Sequence, residues 1–204
     1  MVIRKKFRVE MGHIVRNCSS RRCSHSQHGH SAIIEVLLEG STLDNAGMLY
    51  DFGLMKSTVK EFIDMFDHCY VYWKQDNPKF IRDLKKWNER WIGLPFNPTA
   101  EMLSLLFMNA INRIIANTAK LNGEATDLHC CGVIYHETES GYAWCMEDDN
   151  LKMWNPTNLD QIVVSSSILD EISSDLFNVF FSNQPVTPKM EPCRQVEANA
   201  CGNN

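Results

Sequence analysis

An α+β fold is predicted from three observations. Two amino-terminal segments alternate apolar and polar residues, two central segments repeat apolar residues at helical spacing, and two more alternating segments follow. The order strand, strand, helix, helix, strand, strand yields a four-stranded antiparallel sheet with both helices on one face.

The first strand is expected over Arg4–Arg16, where Phe7, Val9, Met11 and His13 share one phase. A polar connection, Asn17–Gln27, reads as a surface loop. The second strand runs from His28 to about Gly40, with His28, His30, Ala32, Ile34, Val36 and Leu38 in phase. Asp44-Asn45-Ala46-Gly47 is a turn sequence. Asp51 is placed to cap a helix whose face carries Leu54, Met55, Val59, Phe62, Ile63 and Phe66, ending near Asp67-His68. Between Tyr70 and Phe96 the pattern is irregular; Pro78 opens a short helix with Phe80, Ile81, Leu84, Trp87 and Trp91, stopped by Gly93 and Pro95. Asn97-Pro98-Thr99 starts the second main helix, with Met102, Leu105, Leu106, Ile111, Ile114 and Ile115 on its face, up to Asn122-Gly123. A third strand, Leu128–Glu139, turns at Ser140-Gly141 into a fourth, Tyr142–Met146. Residues 1–146 thus form the domain. Residues 147–182 are an extension packed on it, with a strand and a short helix within Asp160–Phe181. Residues 183–204, with three prolines and few large apolar side chains, read as a mobile tail.

The 204 residues, 44% hydrophobic, suffice for one domain with an appendage. A net charge of -5 and a pI near 5.8 argue against a nucleic-acid partner, and the basic clusters Arg4–Arg8 and Arg21–Arg22 read as solvated surface. No apolar run approaches the ~18 residues of a membrane span, and no signal peptide is evident. The eight cysteines include no C-x-x-C pair, so a thiolate zinc ribbon is not indicated and a reducing, cytoplasmic location is expected.

His13 and the His28/His30 pair carry the most chemistry. Period two puts each in line with apolar side chains, and the 14 residues between His13 and His28 permit an antiparallel pair. Three imidazoles then converge at one sheet end. Three histidines without a fourth protein ligand form a catalytic zinc pattern, because the open position takes water or substrate. Against this stands the plain alternative of packing or surface histidines. His25 lacks the strand register. Cys23, five residues before His28 and beside Arg21-Arg22, is a candidate nucleophile or base, or an idle thiol. Asp67-His68 is a surface turn, or part of a proton relay if His68 reaches Cys23. Glu137 shares the phase of Cys131, Val133 and Tyr135; it stands at an exposed strand end, or serves as an anchor for a guanine-like ring.

Together these blocks resemble the 6-pyruvoyltetrahydropterin synthase / 6-carboxytetrahydropterin synthase family over roughly Phe7–Trp144. The matching residues are His13; Cys23 with His28-Gly29-His30; Gly47, Asp51, Phe52 and Lys56; Phe66-Asp67-His68; Pro98-Thr99-Ala100-Glu101; and Glu137-Thr138. The resemblance implies the tunnelling fold, a barrel completed by oligomerisation, with two trimers stacked as a hexamer. It implies a zinc-dependent lyase acting on a dihydropterin triphosphate. Zinc would sit on His13, His28 and His30; Cys23 would move protons with Asp67 and His68; Glu137 would anchor the pterin, with Thr99 and Glu101 in the pocket. The carboxy branch, which leads to queuosine and 7-deazaguanine, is preferred to the pyruvoyl branch of biopterin synthesis, on Asp51-Phe52 after Gly47 and on the composition of the loop after Cys23. The family resemblance leaves the long 70–96 connection and the residues after Met146 without a role. Two other classes are weighed. A zinc hydrolase needs an acid beside the histidines, and the only local acid, Glu10, is out of phase; a non-catalytic zinc-binding protein of the same fold need not keep Cys23 and Asp67-His68.

Overall fold

Alternation buries one side of β1 (Val2–His13) and of β2 (His28–Glu39), which pair antiparallel along their whole length. The structure, a computed structural model, describes residues 1–189. A one-turn helix, α1 (Arg21–His25), joins the pair. The turn at Asp44 closes with Gly47 at φ 79°, a value that suits glycine, and Asp44 Oδ1 accepts from the N–H groups of Ala46 and Met48. A 3-10 turn (Leu54–Lys56) leads into α2 (Thr58–Asp64). Then come β3 (Cys69–Trp73), α3 (Pro78–Trp87), β4 (Trp91–Leu94) and α4 (Ala100–Ala116). β5 (His129–His136) and β6 (Tyr142–Met146) complete the part expected as the main domain.

Among the described residues the sheet has seven strands in the order β6-β5-β2-β1-β3-β4-β7. The expected four antiparallel strands are its β6-β5-β2-β1 half. The expectation fell short in the 70–96 connection, where β3 joins the end of β1 in parallel and β4 joins β3 in parallel. These strands are only five and four residues long, too short for alternation to stand out. Trp91 and Gly93, read as helix end and stop, belong to β4. A Cβ on Gly93 would meet the Tyr72 hydroxyl at 2.5 Å, so the glycine makes room for a neighbouring ring.

α2 and α4 lie on one face, as expected, over Phe7, Val9, Ile34 and Val36. α3 covers the other face: Phe80 meets Tyr70, Lys85 lies over Tyr72 and Trp91, and Tyr70 lies against Gly12 on the side away from the core. Asn77 caps α3 by accepting from Lys79 and Phe80 N–H, ahead of Pro78.

α4 is buried over most of its surface, so the sheet alone cannot cover it. The segment after Met146 contributes the rest. It comprises α5 (Glu147–Met153), a 3-10 turn (Pro156–Gln161), β7 (Val163–Val164), α6 (Ser166–Glu171), α7 (Ser174–Leu176) and a wide turn (Phe177–Phe181). Phe180 packs on Phe62 at 4.5 Å between centroids, and Arg113 lies over Phe180. Of the stretch read as a tail, residues 183–189 are described, and Val186 there bonds to Asn117 and Ala119; residues 190–204 lie outside the described residues. Among the described residues no helix is long and apolar enough to cross a membrane.

Candidate functional site

The antiparallel register sets His13 directly opposite His28 and Met11 opposite His30. All three imidazoles share the face of the core strand residues. Their ring centroids are 4.6, 5.2 and 5.1 Å apart, and one nitrogen from each lies within 4.8 Å of the others. On the opposite face Gly12 pairs with Gly29, where a Cβ would stand 2.9 Å from the Met11 carbonyl. Only glycine at position 29 lets the strands close beneath the histidines.

Each ring orientation has a cause. His13, fully buried, has Nδ1 2.9 Å from the Pro98 carbonyl; a carbonyl only accepts, so Nδ1 carries the proton and Nε2 holds a free lone pair. His28 Nδ1 likewise donates to the Ser26 carbonyl at 3.1 Å. Burial first, then the neighbouring His28 and His30, push the His13 pKa down to about 4. Burial also lowers that of His30, against the pull of Glu137. Neutral imidazoles are the form that binds metal. Among the described residues His13 Nε2 and His30 Nε2 are buried with no hydrogen-bond partner, and a cation between them would satisfy both. The donor set therefore fits zinc on three histidines.

Glu137 reaches this cluster. Its Oε1 is 3.6 Å from His13 Nε2 and 3.7 Å from His30 Nε2. Sequence phase left Glu10 as the only acid near the histidines. The structure corrects this: the β5 strand carries Glu137 across from β2 to their open side, and no local pattern signals that approach. Glu10 itself lies on the opposite face, accepting from Ser31.

Cys23 sits half-buried on α1. The loop expected there is fastened: Val15 N–H donates to the Cys23 carbonyl at 3.0 Å and Arg16 Nη1 to the Ser24 carbonyl at 2.8 Å. Asn97 exchanges hydrogen bonds with the Arg16 backbone, so Asn97 and Pro98 together dock the end of β1 against α4. Sequence reasoning took Asn97-Pro98 as a helix start and missed that second duty.

Thr99 is the α4 cap, accepting from Met102 N–H at 3.3 Å. Glu101 is exposed and lines a different groove, with Tyr142 and Trp144 of β6. Among the described residues no hydrogen bond or ion pair links either to the imidazoles.

Asp67 and His68 pair at 3.0 Å. Glu10 N–H donates to Asp67 Oδ1 and His68 N–H to the Glu10 carbonyl, each at 2.7 Å. Burial pushes the Asp67 carboxyl up, but the Glu10 N–H and His68 outweigh it and hold the pKa below the ordinary value. His68 has φ 50°, a left-handed conformation unusual for a side chain of its size. It stands beside Glu10, whose side chain lies on the face opposite the imidazole rings, and lines an open groove of about 780 Å³ whose lining also includes Ser31, Tyr70 and residues His28 and His30 of β2. No hydrogen bond joins His68 to Cys23 among the described residues. The relay considered from sequence is therefore not assembled within one chain, because the parallel β1–β3 register fixes the pair on the other face.

A family model described as 6-pyruvoyl tetrahydropterin synthase matches residues 2–148. A 6-carboxy-5,6,7,8-tetrahydropterin synthase of Helicobacter pylori (strain J99) is 39% identical over 143 residues, covering 70% of this chain and 71% of the relative. A protein of the same name from Haemophilus influenzae is 30% identical over 116 residues, covering 53% of this chain and 80% of the relative. Among solved structures, an uncharacterized protein from Wolinella succinogenes superposes with a TM-score of 0.59 at 19% identity, covering 72% of this chain and 98% of that one. The 6-pyruvoyltetrahydropterin synthase of Plasmodium vivax gives 0.50 at 15% identity, covering 71% and 97%. These two are likenesses of fold, and the fold they share is the tunnelling fold.

Proposed function

This chain belongs to the 6-pyruvoyl tetrahydropterin synthase family, and from that premise we propose that it is a 6-carboxy-5,6,7,8-tetrahydropterin synthase. It converts 7,8-dihydroneopterin triphosphate and one water to 6-carboxytetrahydropterin, acetaldehyde and triphosphate. The observation that carries the reading is the convergence of His13, His28 and His30 with two buried nitrogens free of partners. The carboxy product is preferred because the Helicobacter and Haemophilus relatives bear that name. A cytoplasmic place in queuosine and 7-deazaguanine synthesis follows from the same reading.

His13, His28 and His30 would hold a zinc ion, which would supply Lewis-acid chemistry for the hydroxyl-bearing side chain of the substrate. His13, locked by Pro98, and His28, locked by Ser26, keep their Nε2 lone pairs on that centre. Cys23 takes and returns the proton at the side chain. Asp67 fixes the His68 imidazole, which exchanges protons with the thiol; since the pair lies on the far face of its own chain, a neighbouring subunit delivers it. Glu137 stands close enough to accept from the pterin ring while the ring's side chain reaches the histidines, and Thr99 and Glu101 shape the pocket in the assembly. The sheet has two open edges, β6 with exposed Tyr142 and Trp144 and the two-residue β7. Open edges invite partners, and a hexamer of two stacked trimers closes them into a barrel. Residues 1–146 are the catalytic domain in this scheme, with 147–182 as its extension.

The test is incubation of zinc-loaded protein with 7,8-dihydroneopterin triphosphate, products identified by mass. Acetaldehyde with 6-carboxytetrahydropterin is the expected result. A product retaining the three-carbon side chain would move the chain to the pyruvoyl branch, and no turnover with zinc bound would leave a binding protein.

A further inference from the structure

Arg90, one residue before β4, touches the Asp67–His68 turn from both its backbone and its side chain. Its carbonyl accepts from Tyr70 N–H at 3.1 Å, two residues past His68. Its Nε donates to the Asp67 carbonyl at 3.1 Å, and Nη2 donates to the carbonyls of Asp64 at 3.2 Å and Met65 at 3.4 Å. The last carbonyls of a helix have no partner within it. One guanidinium therefore closes the end of α2 and grips the chain on the near side of His68, while its own backbone grips the far side.

The fourth direction of the fork leads outside the family match. Nη1 pairs with Glu171 of α6, beyond residue 148 where that match ends. The residues flanking Arg90 are pinned to the same segment. Glu89 accepts from Ser167 Oγ at 2.7 Å, Trp91 N–H donates to Ser165 Oγ at 3.3 Å, and Ser165 N–H donates to the Trp91 carbonyl at 3.0 Å. Ser173 holds α2 itself, donating to Glu61 at 2.6 Å. The His68 side chain, 77% exposed, has Asp67 as its one ion-pair partner among the described residues. Its direction is set by a left-handed backbone, and that backbone is held by Glu10 and Arg90.

We infer that Arg90 is a positioning residue that fixes the Asp67–His68 turn for proton transfer, and that Glu171, Ser165 and Ser167 make the C-terminal extension a working part of the site. The inference rests on the reading of Asp67–His68 as a proton-transfer pair. It gives the 70–96 connection and the extension a joint purpose: β4 presents Arg90, and α6 and β7 hold it in place.

The experiment compares Arg90→Gln, Arg90→Lys and Glu171→Gln in the full-length zinc-loaded protein, with and without His68→Ala. Misplacing a reacting group by an ångström costs up to about 100-fold, so Arg90→Gln should lower kcat roughly 10- to 100-fold, with KM within about twofold and zinc content unchanged. Arg90→Lys should recover only part, because an ammonium lacks the planar fork that serves several acceptors. Glu171→Gln, at an exposed position, should lower kcat in the same direction by less and carries the comparison if Arg90→Gln does not fold. The His68 imidazole NMR signals should move in every Arg90 and Glu171 variant. In the His68→Ala background, Arg90→Gln should cost nothing further. Full turnover in Arg90→Gln with an inactive His68→Ala would overturn the brace alone. Unmoved His68 signals, or an additive loss in the double variant, would also overturn it. Full turnover in His68→Ala would instead remove the proton-transfer reading, and the proposal with it.

Discussion

Stripped of metal, the protein should lose stability in acid through one buried residue, His13. Its pKa is about 4 in the folded chain against an ordinary 6.5. Between those values the unfolded chain binds a proton at this position and the folded chain does not. Stability is thus fully present above pH 6.5 and falls as the pH drops toward 4. Lowering this pKa from 6.5 to about 4 corresponds to about 3 kcal/mol, nearly all of it lost by pH 4. The residue has no exposed surface, so solvent screening offers little relief. The assay is urea unfolding of the metal-free protein at about pH 7.5 and about pH 4, alongside His13→Asn. Asparagine retains an N–H donor for the Pro98 carbonyl and does not titrate. The wild type should lose about 3 kcal/mol more than the variant over that interval. Parallel losses in the two proteins would show that His13 is not the neutral buried group described.

Three further outcomes follow from the site. His28→Ala should lose both metal and turnover, where the parent carries about one zinc per chain by elemental analysis; full metal content in the variant would refute the ligand set. Cys23→Ala should keep its zinc and lose roughly 100-fold or more in kcat, while Cys18→Ala stays active; the reverse pattern would mean that the wrong cysteine has been chosen. Sedimentation should find a hexamer, and an active monomer would contradict a site that takes His68 from a neighbour.

The long elements were legible because period-two and helical patterns need length. β1 buries one face from Phe7 to His13 and β2 from Ala32 to Leu38, and α4 is buried along most of its seventeen residues. Turn residues and prolines placed the Asp44 turn and the starts of α3 and α4 within a residue or two, while the ends of both helices fall several residues earlier than expected, at Trp87 and Ala116. β3 and β4 were hidden because their stability comes from neighbours: Cys69 and Val71 are buried against the core, while Tyr70 and Tyr72 are covered by α3. An aromatic face under a helix has no local signature that separates it from a helix face. The extension was expected to pack on the domain with a strand and a short helix, but its contacts were hidden for the same reason, since Phe180 and Leu176 acquire their burial from α2 and α4.

The site divides along the same line. The histidine triad was readable because strand phase and antiparallel register are local rules, and register converts spacing into proximity. What register cannot express is which face the next element delivers. Glu137 arrives at the histidines from β5, and Asp67–His68 arrives on the far side through a parallel pairing with β1. Both depend on the order β5-β2-β1-β3, which is set by packing across the whole sheet. That order also explains why a zinc-hydrolase reading stays weak although an acid does stand beside the histidines. Glu137 is 30% exposed and faces Nε2 of His13 and of His30. On the proposed function, this carboxylate is placed to meet the pterin ring rather than to serve as a hydrolase base. On the function proposed above, the proton chemistry falls to groups brought in by a neighbouring chain. A sheet that carries His13, His28 and His30 on one face and Asp67–His68 on the other would then make activity depend on assembly.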